Sequence, residues 1–204
     1  MRIVTVSREF GSGGRELGKR LADELGFAYY DREIISAIAK DTELNEAYIA
    51  NTLESGMMSY NVSFGVTFSA ASVISQNTVD ILIAQQKIMK EIAQKGDCVI
   101  VGRSADVILE KYNPFNIFVY SDIESKVNRC RSREDGEQMS DKQLIKKIRQ
   151  IDKNRAKLHS MVAHSKWGDK EAYQLMVNTS GFTIKDLVPM TAEFARAWFE
   201  KHHK

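Results

Sequence analysis

The sequence holds only two cysteines, Cys98 and Cys130, in 204 residues. Both stand in apolar contexts and read as buried free thiols, which excludes a disulfide framework and a cysteine metal site. No apolar run reaches the roughly 18 residues that a membrane-spanning helix needs. No signal-peptide pattern is seen either, because Val4 leads straight into polar Ser7-Arg8-Glu9. No membrane partner and a cytoplasmic location are the expectations. Charge of one sign is missing as well: 29 Lys and Arg against 27 Asp and Glu leave a net charge of +2. That gives no global surface for a nucleic-acid partner, so the basic residues must be read locally. The four histidines form no cluster with cysteine. His159 and His164 fall on or near a polar helix and His202-His203 lie in the tail, so no metal site is expected. No repeat or low-complexity linker divides the chain, which is long enough for one domain with a substantial core.

What is present is organised around one stretch, Val4 to Leu17. Ile3 to Val6 is a β-branched alternating run and reads as a short buried strand. Gly11-Ser12-Gly13-Gly14 follows. Leu17, Leu21, Ala22 and Leu25 then recur at helical spacing, so a helix opens near Gly14. Strand, glycine-rich loop and helix together build a phosphate cradle: glycines turn backbone N–H groups inward and the helix N-terminus adds partial positive charge. Arg15 and Glu16 lie in the first helical turn. A cation there opposes the helix dipole unless an anion neutralises it, so Arg15 is assigned to a phosphate. The bland alternative is a tight strand-to-helix turn. The loop departs from G-x-x-x-x-G-K-[ST]: Arg8 stands where the first glycine belongs, Gly14 where the lysine belongs and Arg15 where the hydroxyl residue belongs. Arg15 is the nearest cation to replace the lysine, and Lys19 is a second on the same side.

Strands and helices alternate over the rest of the chain. Gly26 caps the first helix, and Phe27 to Tyr30 reads as a strand. Asp31 is a reasonable N-cap for a helix carrying Ile34, Ile35 and Ile38. Another helix is expected from Asn45 to Leu53. Gly56 to Ser69 fits neither period and reads as a packed loop, either a flap over substrate or a contact with a second copy of the chain. A long helix is expected from about Ser72 to Gln94 with Val79, Leu82, Ile83, Ile88 and Ile92 inward, followed by Gly96. Cys98 to Val101 and Asn116 to Tyr120 are continuous apolar runs, typical of strands buried on both faces of a parallel sheet. Ala105 to Glu110 reads as a short helix. Asp122 starts a helix that buries Ile123, Val127 and Cys130. Ser140 caps a long polar helix with Leu144, Ile148 and Ile151 inward, reaching about His164. Tyr173 to Asn178 is the last strand, and Thr183 to Phe199 a closing helix with Ile184, Leu187 and Phe194 inward. The pattern specifies an α/β fold of three layers, α/β/α, with a parallel sheet of about five strands. Its ligands bind at the carboxyl ends of the strands, where Ser7–Gly14, Asp31-Arg32 and Gly102-Arg103 converge.

Arg129 and Arg133 are one helical turn apart and share a side, with Arg131 between them. Arg155 follows on the next helix. Arginine suits phosphate because its planar fork reaches two oxygens at once. A solvated helix face with pairs such as Asp152–Arg155 is the alternative.

Several of these segments resemble the cytidylate kinase-like family of P-loop nucleoside monophosphate kinases. They are Val6-Ser7-Arg8-Glu9-Phe10-Gly11-Ser12-Gly13-Gly14-Arg15-Glu16, Tyr30-Asp31-Arg32-Glu33, Val101-Gly102-Arg103-Ser104-Ala105-Asp106, Arg129-Cys130-Arg131, Asp152-Lys153-Asn154-Arg155, Lys166-Trp167-Gly168-Asp169 and Asn178-Thr179-Ser180. They occur in order over nearly the whole chain. The resemblance implies one P-loop kinase domain over 1–204, with an acceptor-binding region at about 32–75 and a helical lid at about 129–140. It implies ATP and Mg²⁺ as cosubstrates and CMP or dCMP as acceptor. Gly11 to Glu16 would hold the donor phosphates, and Arg103 with Asp31 and Arg32 the acceptor. Arg15, Arg129, Arg133 and Arg155 would serve the transferring group. Two other readings remain: a kinase for another small molecule, or a nucleotide-binding regulatory protein without turnover.

Overall fold

The computed structural model describes residues 1–55, 76–132 and 139–202. The loop expected at 56–69, Arg133 and Gly136 lie outside the described residues, as does part of the expected acceptor region.

Five strands form one sheet: β1 (Ile3–Arg8), β2 (Ala28–Tyr30), β3 (Cys98–Val101), β4 (Phe115–Tyr120) and β5 (Leu175–Asn178). Their order is β2-β3-β1-β4-β5, and every pairing is parallel. The central strands pair through their apolar residues, Val4 with Val99 and Val6 with both Val101 and Ile117. Their side chains are buried because helices cover both faces, the condition that continuous apolar runs anticipate.

On one face lie α1 (Gly14–Leu25) and α8 (Ile184–His202), which bury Leu17, Leu21, Val188 and Phe199 against β1 and β4. On the other lie α2 (Glu33–Thr42), α3 (Glu46–Ser55), α4 (Gln76–Gln94) and α5 (Ala105–Ile108). They bury Ile34, Ile38, Ile49, Ile81 and Met89. A smaller cluster, Val127, Cys130, Leu144 and Ile148, joins α6 (Ile123–Arg131) to α7 (Asp141–His159). The caps behave as their residue types dictate. Gly26 is left-handed, the Asp122 carboxylate accepts from the Ser125 N–H, and Ser140 with Gln143 completes a capping box.

Several sequence expectations are corrected. The inward stripe of α4 is Thr78, Ile81, Gln85, Ile88, Met89 and Ile92, whereas Val79 and Ile83 are exposed. This helix is apolar around most of its circumference, so packing against its neighbours and not periodicity selects the face. Asp31 does not cap α2. Arg32 holds the N-cap position without a side-chain bond, and the Asp31 carboxylate is drawn instead to the Arg15 guanidinium. Ile123 stays partly exposed, Ile151 is half-buried, and Phe194 is 47 % exposed although its ring rests on Phe115. The polar helix ends at His159 and not near His164.

Candidate active site

Every strand ends at the same edge of the sheet, and the side chains singled out from the sequence gather there. β1 delivers Arg8 and then the loop. Gly11 and Gly13 are left-handed, at φ 77 and 83, a conformation that glycine adopts without strain. Gly13 is the N-cap of α1 and supplies no side-chain cap. The first N–H groups of α1 therefore lack both intrahelical and side-chain acceptors, the state in which a helix start receives an anion. The loop is held from behind. The Ser12 hydroxyl donates to the Glu9 carbonyl at 2.8 Å, and the Thr179 hydroxyl, just past β5, donates to the Ser12 carbonyl at 2.7 Å.

A second support comes from α6 and α7. The Phe10 N–H donates to Asp152 Oδ1 at 2.6 Å. Lys126, 6 % exposed, pairs with Glu9 at 2.7 Å and with Asp152 at 3.4 Å. Burial raises the Asp152 pKa, partly offset by the Phe10 N–H and Lys126. A carboxylate shared by a backbone donor and a buried ammonium fixes the loop to both helices at once.

The arginines divide into two groups. Arg15 lies on the outer side of α1 with its Nε 2.6 Å from Asp31 Oδ2, and Asp31 is 4 % exposed. Arg32 is exposed at the same rim, in a depression shared with Lys19, Tyr29 and Glu33. Glu16 turns away from the loop to Arg20, at 2.8 Å. Arg129 reaches from α6 to the loop, its Nε 3.9 Å from where a Cβ at Gly13 would lie. It donates to Ser121 Oγ at 3.2 Å and to the carbonyls of Thr179 and Phe182.

The second group is Arg8, Arg103 and Arg155. With Ser7, Gly102 and His159 they line a cavity of about 50 Å³ at the ends of β1 and β3. Arg155 donates to the Arg8 carbonyl at 3.1 Å and lies over the Phe10 ring. Arg103 and Ser104 both have positive φ, 61 and 53, an uncommon state for residues other than glycine and one that clusters at functional sites. The Gln85 amide pins the Arg103 carbonyl at 3.0 Å. Burial, with the charges of Arg155 and Arg103 and against that of Asp31, lowers the Arg8 pKa to about 9, so it stays a cation at neutral pH. Three arginines around one cleft are an arrangement that an anion stabilises.

Two features escaped the sequence reading. Arg8 entered it only as an interruption of the loop pattern. His159 entered as a residue of a polar helix, yet it is 2 % exposed. Its Nε2 lies 3.0 Å from Asp106 Oδ2, and the Tyr173 hydroxyl donates to the same oxygen at 3.1 Å. The end of α7 is thereby tied to α5 and to the chain entering β5. A lone His on a helix carries no signal for this, because its partner Asp106 lies 53 residues before it.

The loop fits the phosphates of a nucleotide, with an open helix start and adjoining cations. Among the described residues no group of three or more His, Cys, Asp or Glu stands together, so Mg²⁺ would be held here chiefly by nucleotide phosphates and water.

Residues 3–181 match the model of the cytidylate kinase-like family. No curated protein matches the chain. Among solved structures, the chain is similar to an uncharacterized protein from Eubacterium ventriosum ATCC 27560, at 25 % identity and TM-score 0.71, covering 96 % of this chain and 99 % of that one. It is also similar to a shikimate kinase from Bacteroides thetaiotaomicron, at 14 % identity and TM-score 0.56, covering 96 % and 98 %. A gluconokinase from Sinorhizobium meliloti 1021 aligns at 13 % identity and TM-score 0.56, covering 99 % and 95 %. The last two show the fold, that of P-loop kinases.

Proposed function

The chain belongs to the cytidylate kinase-like family, and from that premise we propose that it transfers the γ-phosphoryl group of ATP to a small anionic acceptor, CMP or dCMP in the first instance. The observation that carries the reading is the convergence of Arg8, Arg103 and Arg155 on one cavity beside the glycine loop. In-line phosphoryl transfer asks the protein for position and for positive charge, and for no covalent chemistry. Gly11 to Arg15 would cradle the donor phosphates through backbone N–H groups. Arg103 and Arg155 would hold the acceptor anion and the charge that develops between donor and acceptor. Arg129 and Arg133 would act from a lid at about 129–140, whose closure would exclude water.

The acceptor is tested by measuring ADP formation from ATP over a panel of nucleoside monophosphates and small anionic alcohols. Turnover with CMP or dCMP above the other compounds supports the reading. ATP binding without ADP formation on any acceptor would replace it with a regulatory nucleotide-binding role.

A second reading keeps the chemistry and changes the acceptor. It is favoured by Asp31, which the family resemblance puts near the acceptor nucleoside. Here that side chain is buried and paired with Arg15. The similar structures named for shikimate and for gluconate belong to kinases of that other kind.

A further inference from the structure

We propose that Arg8 is the cation that stands in for the missing P-loop lysine, so that its guanidinium contacts the phosphoryl group in transfer. This rests on the kinase reading of the same site.

The first observation is a glycine that its backbone does not require. Gly14 occupies the lysine position of the loop pattern and begins α1 in helical conformation. Unlike Gly11 and Gly13 it does not have a left-handed φ, so conformation alone would admit any L-residue. Space would not: a Cβ there would lie 2.5 Å from Arg8 Cβ and 3.0 Å from Arg8 Cγ. The side chain is absent at Gly14 where the stem of Arg8 passes.

The second observation is at the other end of the same side chain. A Cβ at Gly102 would overlap the Arg8 guanidinium. Arg8 thus runs from the mouth of the loop, at Gly14, to the end of β3, at Gly102, and its head enters the cavity shared with Arg103 and Arg155. That path joins the donor phosphate cradle to the acceptor side.

The third observation concerns the competing cations. Arg15 is paired with Asp31, Lys126 with Glu9 and Asp152, and Lys19 lies over the Tyr29 ring. Arg129 lies beside Gly13 and donates to Ser121 and two carbonyls, on the β5 side of the loop and away from Gly14 and Gly102. Among the described residues no carboxylate forms an ion pair with Arg8. A lysine's point charge is replaced by a fork that can meet two oxygens.

The test compares Arg8→Gly, Arg15→Ala and the double variant Arg8→Gly/Gly14→Lys, which removes the stem and returns the lysine. ATP and ADP affinities are measured by calorimetry with Mg²⁺, and kcat/KM with whichever acceptor the wild type uses. Arg8→Gly should weaken ATP at least about tenfold, leave ADP within about threefold, and lower kcat/KM by about 100-fold or more. The double variant should recover at least about tenfold of that loss, and Arg15→Ala should change ATP affinity less than Arg8→Gly does. ATP affinity within about threefold of wild type in Arg8→Gly, or equal loss of ATP and ADP with no recovery by lysine, would overturn the assignment. If Arg8→Gly does not fold, Arg8→Met keeps the stem, removes the charge and is judged by the same two affinities. If the wild type turns over no acceptor, the kinase reading fails, and the ATP-to-ADP comparison still decides for or against Arg8.

Discussion

The two flanks of the glycine loop carry similar numbers of arginines and place them differently. Toward β2, Arg15 pairs with Asp31 and Arg20 with Glu16. Toward α7, Arg8, Arg103 and Arg155 share one cavity; Arg155 is 3.9 Å from Asp152, which also takes the Phe10 N–H and Lys126, and the Asp31 charge acts on Arg8. A cation with its own carboxylate has its charge met by the protein. Three guanidinium groups that share one cavity can together meet the oxygens of a phosphate. The comparison therefore moves the expected phosphate contacts from Arg15 to the α7 flank.

The largest effect tests the support beneath that flank. Lys126→Ala leaves Glu9 and Asp152 in a partly buried site without their counter-charge. It should destabilise the fold by about 3–5 kcal/mol, read by denaturant titration. A loss below about 1 kcal/mol would mean that the loop is not fastened there. Next comes the flank itself. Arg103→Ala and Arg155→Ala should each lower kcat/KM about 100-fold, near 3 kcal/mol, with little change in melting temperature. On the β2 side, Arg15→Ala should lower kcat/KM less than tenfold and cost about 1–3 kcal/mol of stability, because it leaves the buried Asp31 carboxylate without its counter-charge. If Arg15→Ala proves more harmful to turnover than Arg155→Ala, the contrast between the flanks is reversed.

The smallest effect is a pH dependence. Burial raises the Asp152 pKa above its unfolded value. Below the ordinary carboxylate range both states are protonated and nothing changes. As pH rises through the unfolded and then the folded pKa, the unfolded chain releases its proton first, so this group's contribution falls and stays lower above. Asp152→Asn should remove that fall from a stability–pH profile taken between about pH 3 and 7. An unchanged slope would assign the dependence to other carboxylates.

The fold was readable because its strands are sharply patterned. Cys98 to Val101 can only be a doubly covered strand, and Gly26, Asp122 and Ser140 carry cap chemistry in their own side chains or lack of one. The face of α4 was not readable, since Val79 and Ile83 are as apolar as Ile81 and Ile88. The site was readable where one residue type suffices: glycines for the cradle, and arginine after β3 and on α7. It was unreadable where the outcome depends on a partner distant in sequence. Arg15 looked free because Asp31 looked like a cap, and nothing local says that these two meet across α1 and β2. Arg8 looked like a defect of the loop pattern. Its path became visible only when Gly14 and Gly102, 88 positions apart, were found on the same side chain. His159 and Asp106 were hidden in the same way.

The central claim is that the α7 flank receives the transferring phosphoryl group. A crystal structure grown with ADP, Mg²⁺ and aluminium fluoride tests it most directly, because the planar fluoride occupies the place of that group. The account predicts ADP phosphates on the N–H groups of Gly11 to Arg15 and the fluoride against Arg8 with Arg103 or Arg155. Fluoride held at Arg15 on the β2 side, or ADP bound away from the loop, would contradict it.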